Sequence, residues 1–186
     1  MDQEKKENSA PKQKKRYGRN LLLILLIAFA AIQFFQPDKN NQRFDMTNDI
    51  SNVVQIPDSV HQLLKIACYD CHSNQTNYPW YANIQPIGWW LKDHIDEGKG
   101  HINFHEFALV EASERFPSKV LRQDHKLEEI EEQIETDEMP LKSYTLIHRD
   151  AKLSEGQKKM LLDWAAAARA QLIRDSATAT IASLED

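Results

Sequence analysis

The segment "ACYDCH", residues 67–72, contains both cysteines of the 186-residue chain, and a histidine follows the second one directly. In the residues leading into it, apolar side chains recur every three or four positions from Val60 onward, as they do on one face of an amphipathic helix. The cysteine pair is therefore predicted to lie at the end of a helix.

Helical periodicity also dominates the rest of the chain after residue 57. Ser154 and Gln157 fit the capping box of a C-terminal helix that carries Trp164, and Asp124 is predicted to cap an earlier helix. No window shows the sustained two-residue alternation of a half-buried strand. The sequence therefore predicts an all-α fold.

Several kinds of site are compatible with two cysteines at this spacing. In an oxidising compartment they could form a structural disulfide or a thiol redox centre, but a redox pair of this type usually opens a helix in a βαβ unit, whereas this pair closes one. Zinc requires four ligands. The chain has no third cysteine, and His101 and His105 would be weak substitutes for the two missing ligands. The remaining interpretation is covalent haem, because C-x-x-C-H is the c-type attachment sequence.

Haem attachment needs these residue types in this order. Each thiol forms a thioether with one vinyl group of the haem, and the imidazole beside the second cysteine ligates the iron. On a helical turn Cys68, Cys71 and His72 are three and four positions apart, so all three can meet one face of the macrocycle. The predicted cofactor is one covalent haem c, with its iron, per chain.

The iron of such a haem needs a second axial ligand or an open position. Met139 lies in "TDEMPLKSY", where the following proline ends a helix and favours an extended loop. A thioether held on a loop just before a capped helix suits a distal ligand, and His/Met ligation suits electron transfer. His94, in a predicted helix, is the alternative distal ligand.

Basic and apolar residues are segregated in the N-terminal part of the chain. Residues 1–20 carry seven Lys and Arg against three Asp and Glu, and the run "LLLILLIAFAAIQFF" (21–35) contains one polar side chain. This order is typical of a signal anchor or a signal peptide, with the basic side staying in the cytoplasm. We expect a retained anchor, although fifteen helical residues span only ~22 Å and the "AFA" at 28–30 fits a cleavage site.

The predicted organisation follows from these patterns. It comprises a basic cytoplasmic tail (1–20), a transmembrane anchor (21–35), a linker rich in Asn, Asp and Gln (36–57), a c-type haem-binding domain (58–174) and a flexible tail (175–186). The expected location is the cytoplasmic membrane, as a single-pass protein whose C-terminal domain is exported.

Two runs together resemble a known family. The runs "ACYDCHSNQTNYPWYANIQPIGWWLKDHIDEGKGHINFHEF" and "EEIEEQIETDEMPLKSYTLIHRDAKLSEGQKKMLLDWA" are similar to the bacterial haem-binding domain family of membrane-anchored proteins with one C-x-x-C-H site, over about residues 20–172. The methionine loop and the capped helix after it are also similar to class I cytochromes c. That resemblance implies a cytochrome c-like fold with Trp164 against the helix that bears Cys68. The sequence departs from the pattern at Asp137, where glycine is common.

The expected function is electron transfer by a mono-haem c-type cytochrome, and not catalysis. The alternatives are a haem-based sensor or assembly subunit with an open iron site, and a membrane-tethered C-x-x-C thiol oxidoreductase. The overall charge of −5 with a basic tail leaves an acidic body, which argues against nucleic acid as a partner. Seven acidic residues and no basic one occur between 128 and 138, so this surface could steer a basic redox partner.

Overall fold

All regular secondary structure in the described part of the chain is helical. The structure, a computed structural model, describes residues 13–185, so residues 1–12 of the predicted tail and Asp186 lie outside the described residues. Within the described range there are seven α-helices: α1 (Gln13–Ile32), α2 (Asp58–Ala67), α3 (Tyr69–His72), α4 (Ile87–His101), α5 (Lys119–Glu135), α6 (Lys142–Ile147) and α7 (Glu155–Glu185). Shorter 3-10 turns occupy Met46–Asn48, Ile50–Asn52, Trp80–Asn83, Phe104–Leu109 and Arg149–Ala151. No strand forms in residues 13–185, and the all-α prediction is confirmed.

The chain divides into two compact units. One comprises the residues up to Pro37 together with Pro79–Trp90, and the other comprises Asp38–Tyr78 and the residues from Leu91 onward. In the first unit, the side-chain amide of Gln33 makes two hydrogen bonds to the backbone of Gln85, donating to its oxygen at 3.1 Å and accepting from its N–H at 2.8 Å. The indole N–H of Trp89 also donates to the backbone oxygen of Phe35 at 2.8 Å. Polar contacts therefore join the residues just after α1 to the segment around the start of α4.

The apolar N-terminal run lies in α1, but the predicted transmembrane helix over residues 21–35 needs correction. No helix within residues 13–185 is both long enough and apolar enough to cross a membrane. The physical reason is that α1 begins at Gln13, among basic residues, and ends at Ile32, so its apolar part comprises only residues 21–32. The side chains of 21–27 are each at least half exposed.

The core of the second unit forms where α2, α5 and α7 pack together. Its fully buried side chains include Leu64 from α2, Leu127 from α5 and Leu161 from α7, with Phe104 and Phe107 from the turn after α4. Trp164 belongs to the same buried cluster as Leu64, and Cys68 packs against that cluster. The long helix α7 is thus in the same core as the helix that precedes the cysteine pair.

Two segments outside the predicted domain contribute to this unit. In the predicted linker, Ile50 and Val54 are buried in the core, and the side chain of Asn40 donates to the backbone oxygen of Ser73 at 2.8 Å. At the other end, α7 continues without a break to Glu185, through the predicted flexible tail.

Helix starts follow local capping chemistry. The Ser154 hydroxyl accepts from the backbone N–H of Gln157, and the Gln157 side chain accepts from the N–H of Ser154 at 2.8 Å, which confirms the predicted capping box at the start of α7. For α5 the prediction was wrong, because the helix begins five residues before Asp124 and is capped by Ser118.

Candidate functional site

The cysteine motif lies at the junction of α2 and α3. The N–H of Cys68 donates to the last turn of α2, and the backbone oxygen of Cys68 then accepts from Cys71 at 3.1 Å and from His72 at 2.9 Å. The short helix α3 therefore carries Cys71 and His72 one turn beyond Cys68. The pair was predicted to close one helix; the structure places Cys68 at the end of α2, as predicted, but Cys71 in the separate one-turn helix α3.

Both thiols are free and partly buried. Burial and then the neighbouring Cys71 raise the pKa of Cys68 to about 12. Burial also raises the pKa of Cys71 to about 11, together with the charge of Asp70. At neutral pH both groups are therefore protonated thiols, and not the thiolates that a reactive cysteine needs.

The ring of His72 is held in one orientation by the backbone. Its Nδ1 lies 3.2 Å from the carbonyl oxygen of Ile102, and burial lowers the pKa of the imidazole, so the neutral form is favoured. Because a carbonyl can only accept, Nδ1 carries the proton of the neutral ring and the lone pair is on Nε2. A histidine fixed in this way through Nδ1 is prepared to ligate a metal through Nε2.

Two further contacts shape the surroundings of this histidine. Helix α4 approaches closely through Gly98, where a Cβ would lie 3.0 Å from the backbone oxygen of Cys71 and 3.3 Å from Cε1 of His72. Phe104 stacks on Tyr69 with ring centroids 5.0 Å apart and meets His72 edge-on at 6.2 Å. The site thus has an apolar wall on the side of Phe104 and a helix backbone on the side of Gly98.

A hydrogen bond that the sequence did not reveal joins α6 to the motif. The hydroxyl of Tyr144 donates to Oδ2 of Asp70 at 2.8 Å and also lies 3.3 Å from the backbone oxygen of Ile66. Burial and then this bond to the Asp70 carboxylate raise the pKa of the Tyr144 phenol. The only sequence signal for it is that Tyr144 follows the methionine loop closely.

Met139 lies on a structured loop that is held in place by backbone hydrogen bonding to α5. Its backbone N–H donates to the carbonyl oxygen of Gln133 at 3.0 Å, and its side chain is partly buried. Asp137 has a φ of 58°, the left-handed conformation that favours glycine, so the conformation at this position suits the glycine that the resemblance leads one to expect there. In the described contacts Met139 does not meet Cys68, Cys71 or His72, so its role as a distal ligand stays a prediction.

The alternative ligands are also placed by the structure. His94 lies in α4 one helical turn before Gly98, and therefore on the same face of that helix. Buried His105, predicted to be at best a weak zinc ligand, stacks on Phe44 at 3.5 Å and accepts from the N–H of Asn74 at 3.3 Å. Within residues 13–185 no group of three or more His, Cys, Asp or Glu is placed to hold a metal ion. The zinc interpretation therefore lacks a ligand set in this part of the chain.

Comparison with known proteins supports one assignment. The model of the haem-binding domain family matches residues 27–167, which is more than half of the chain and includes the cysteine motif and the methionine loop. No curated protein and no solved structure gives a significant match. From the extent of the family match, the chain belongs to the haem-binding domain family.

Proposed function

We propose that this haem-binding protein is a mono-haem c-type cytochrome that transfers electrons outside the cytoplasm. The observation that carries the proposal is the arrangement at the junction of α2 and α3. Two free thiols and an imidazole whose lone pair we place on Nε2 lie there within one helical turn. Bound haem would supply an iron that changes its oxidation state by one electron.

The residues present fit such a cofactor. Cys68 and Cys71 would hold it through thioethers. The raised pKa values of the two thiols do not argue against this role, because a sulfur in a permanent thioether bond needs no lowered pKa. His72 would be the proximal ligand, oriented by the carbonyl of Ile102. The ring of Phe104 offers the apolar surface that a porphyrin edge or face requires.

For the distal position we propose Met139, with His94 as the alternative. The support for Met139 is that its loop is tied to α5 through Gln133 and that Tyr144, five residues later, is bonded to the motif. A loop anchored at both ends can hold a weak thioether ligand at a fixed place. The support for His94 is its position one turn from Gly98, the residue that contacts His72.

A thiol oxidoreductase is the less favoured function. Catalytic thiols of that class have lowered pKa values, whereas burial raises those of Cys68 and Cys71. A sensor or assembly subunit with an open iron site differs from a cytochrome only in the distal ligand, so it is distinguished by the test of Met139.

We further propose that the domain acts at the outer face of the cytoplasmic membrane. The support for a membrane as partner of residues 21–35 is the row of exposed Leu and Ile side chains on α1. The proposed protein partner is a basic redox protein. The support is that Glu132 and Glu135 on α5 and Glu138 in the Met139 loop are exposed and form no ion pair within the described residues.

The proposal is tested by producing the full chain with a haem-attachment system. We expect haem to stay with the polypeptide on a denaturing gel, and the Cys68→Ser/Cys71→Ser double variant to lose that covalent haem. Colourless protein with two titratable thiols would overturn the proposal.

The distal ligand is tested on the same holoprotein. Met139→Leu should abolish the long-wavelength sulfur-to-iron band of the oxidised protein and open the iron to carbon monoxide, whereas His94→Leu should leave the band in place. An unchanged protein that lacks the band, and whose iron is opened to carbon monoxide by His94→Leu but not by Met139→Leu, would assign His94. Carbon monoxide binding by the unchanged protein would favour the open-site alternative.

A further inference from the structure

A cleft lined by basic side chains lies beside the C-terminal end of α4. Its volume is about 200 Å³, and its walls come from the end of α4, the loop before α5 and the first half of α5. The permanently charged groups that line it are Arg115, Arg122, Lys126 and Glu129. The cleft, hereafter the basic cleft, therefore combines three cations with one carboxylate.

None of the three cations forms an ion pair within the described part of the chain. Arg122 donates to the backbone oxygen of Glu111 at 2.9 Å, and Lys126 donates to that of His101. The guanidinium of Arg115 lies over the ring of Phe116 at 5.2 Å. Carbonyl oxygens and a ring face attract these cations but do not neutralise them.

The one carboxylate of the basic cleft is shared with a further group. Glu129 lies 3.6 Å from Nε2 of His125, and Nδ1 of the same ring lies 3.2 Å from Glu128. Lys126 is partly buried, and burial lowers the pKa of its ammonium group. The charge of Glu129 favours the charged form of Lys126, but burial outweighs it. A partly desolvated cation is costly, and an anion entering the cleft would offset that cost.

The walls of the cleft are held in place by contacts among themselves. The N–H of Ser113 donates to the backbone oxygen of Phe116 at 2.8 Å, which closes the loop before α5. The ring of Phe116 then stacks on His125 of α5 at 4.5 Å. The cations are therefore presented by a folded loop and a helix, and not by loose chain.

We propose that the basic cleft binds a phosphate group or another small tetrahedral oxoanion. Its volume equals that of roughly six or seven waters at ~30 Å³ each, which is enough for such an ion. Two guanidinium groups can each offer a fork of N–H donors to its oxygens, and Lys126 can add a point charge. This inference does not depend on the proposed haem attachment.

The test is titration calorimetry of the full-length protein with inorganic phosphate, at an ionic strength kept constant with sodium chloride. We expect saturable binding at one site per chain. Lys126→Met keeps the apolar stem but removes the charge, and Arg122→Gln removes one donor fork, so each should weaken binding about tenfold or more. Lys159→Met is the matched control, because Lys159 is exposed on α7 and pairs with Asp163, and its binding should be unchanged.

Two sources of the phosphate group are separated by a second measurement. If the ligand is a lipid headgroup, vesicles containing phosphatidylglycerol should retain the wild-type protein more than they retain Lys126→Met, compared with phosphatidylcholine vesicles. If it is a free ion, the two proteins should be retained equally while phosphate titration still distinguishes them. No saturable phosphate binding, or equal binding by wild type and Lys126→Met with both folded, would overturn the proposal.

Discussion

At Gly98 the backbone of α4 lies against the cysteine motif too closely for an unstrained side chain. The atoms nearest to a Cβ at this position would be the backbone oxygen of Cys71 and Cε1 of His72. Both belong to α3, the one-turn helix that carries the proposed iron ligand. The orientation of His72 thus depends on the absence of a side chain at residue 98 as well as on the hydrogen bond to Ile102.

We therefore expect Gly98→Val to destabilise the protein by about 1–3 kcal/mol through overpacking. It should also change the visible spectrum or the reduction potential of the holoprotein, because His72 must move. Gly100→Val is the matched control, since no atom lies within 4 Å of a Cβ at that position of the same helix. Thermal unfolding and redox titration check the prediction, and equal behaviour of the two variants would contradict it.

The second residue-scale prediction concerns the bond between Tyr144 and Asp70. Tyr144→Phe removes a hydrogen bond of 2.8 Å to a partly buried carboxylate, which should lower the free energy of unfolding by about 1–2 kcal/mol. If Met139 ligates the iron, the sulfur-to-iron band should also weaken at a lower temperature than in the wild type. Tyr17→Phe, on an exposed ring of α1, should alter neither property.

At the scale of elements, Arg169 joins α7 to α5. Its guanidinium contacts Asp124 at 2.9 Å, Glu131 at 2.7 Å and Glu128 at 3.0 Å. The hydrogen bond from His125 and then the charge of Arg169 lower the pKa of Glu128 from its ordinary 4.5. A carboxyl whose pKa is lowered by folding stabilises the fold above its unfolded pKa, and this contribution is lost as the pH falls through the folded value.

Arg169→Leu should therefore destabilise the protein by about 1–2 kcal/mol at neutral pH, because three carboxylates are left together on a partly exposed surface. The difference from the wild type should shrink as the pH falls below about 4.5 and should also shrink in high salt. Arg174→Leu, on an exposed position of the same helix, is the control. Denaturant unfolding across a pH series would show whether the difference instead stays constant.

Elements were predictable where the signal is local. The Ser154–Gln157 capping box and the apolar stripe before Cys68 both depend on neighbours within one or two helical turns, and both predictions are confirmed. Asp124 does not cap α5 as predicted, because the helix begins earlier, after Ser118. The carboxylate of Asp124 instead accepts from Arg169, a residue 45 positions away. The prediction also assigned Ile50 and Val54 to a linker, because nothing local shows that a polar segment with two apolar residues folds back onto a core.

The same limit applies to the candidate site. The C-x-x-C-H motif identified Cys68, Cys71 and His72 as candidates from spacing alone, because haem attachment uses residues that are close together in the sequence. The contacts of Gly98, Ile102 and Tyr144 with the motif are tertiary, and no spacing in the sequence indicates them.

For the molecule as a whole, the acidic surface near Met139 has fewer unpaired charges than the sequence indicated. Of the seven acidic residues between 128 and 138, Glu128 and Glu131 are paired with Arg169, Asp137 is paired with Lys158, and Glu129 lies near His125. The charges that remain exposed and without an ion pair in the described residues are those of Glu132, Glu135 and Glu138. A field from three such carboxylates extends over about one Debye length, ~8 Å at physiological salt.

If these three carboxylates steer a basic electron-transfer partner, the triple variant Glu132→Gln/Glu135→Gln/Glu138→Gln should react with it more slowly by about tenfold at low salt. The difference from the wild type should disappear as ionic strength rises, because screening removes the steering and leaves the site itself unchanged. The control variant Glu97→Gln/Glu111→Gln/Glu114→Gln changes the net charge equally at exposed positions away from Met139. Stopped-flow reduction by a basic c-type partner, followed over a salt series, measures the rates of both variants.

If this surface steers the partner, only the first variant should lose rate. Equal slowing of the two variants would show that only net charge matters. Rates that do not change with salt would contradict electrostatic steering altogether.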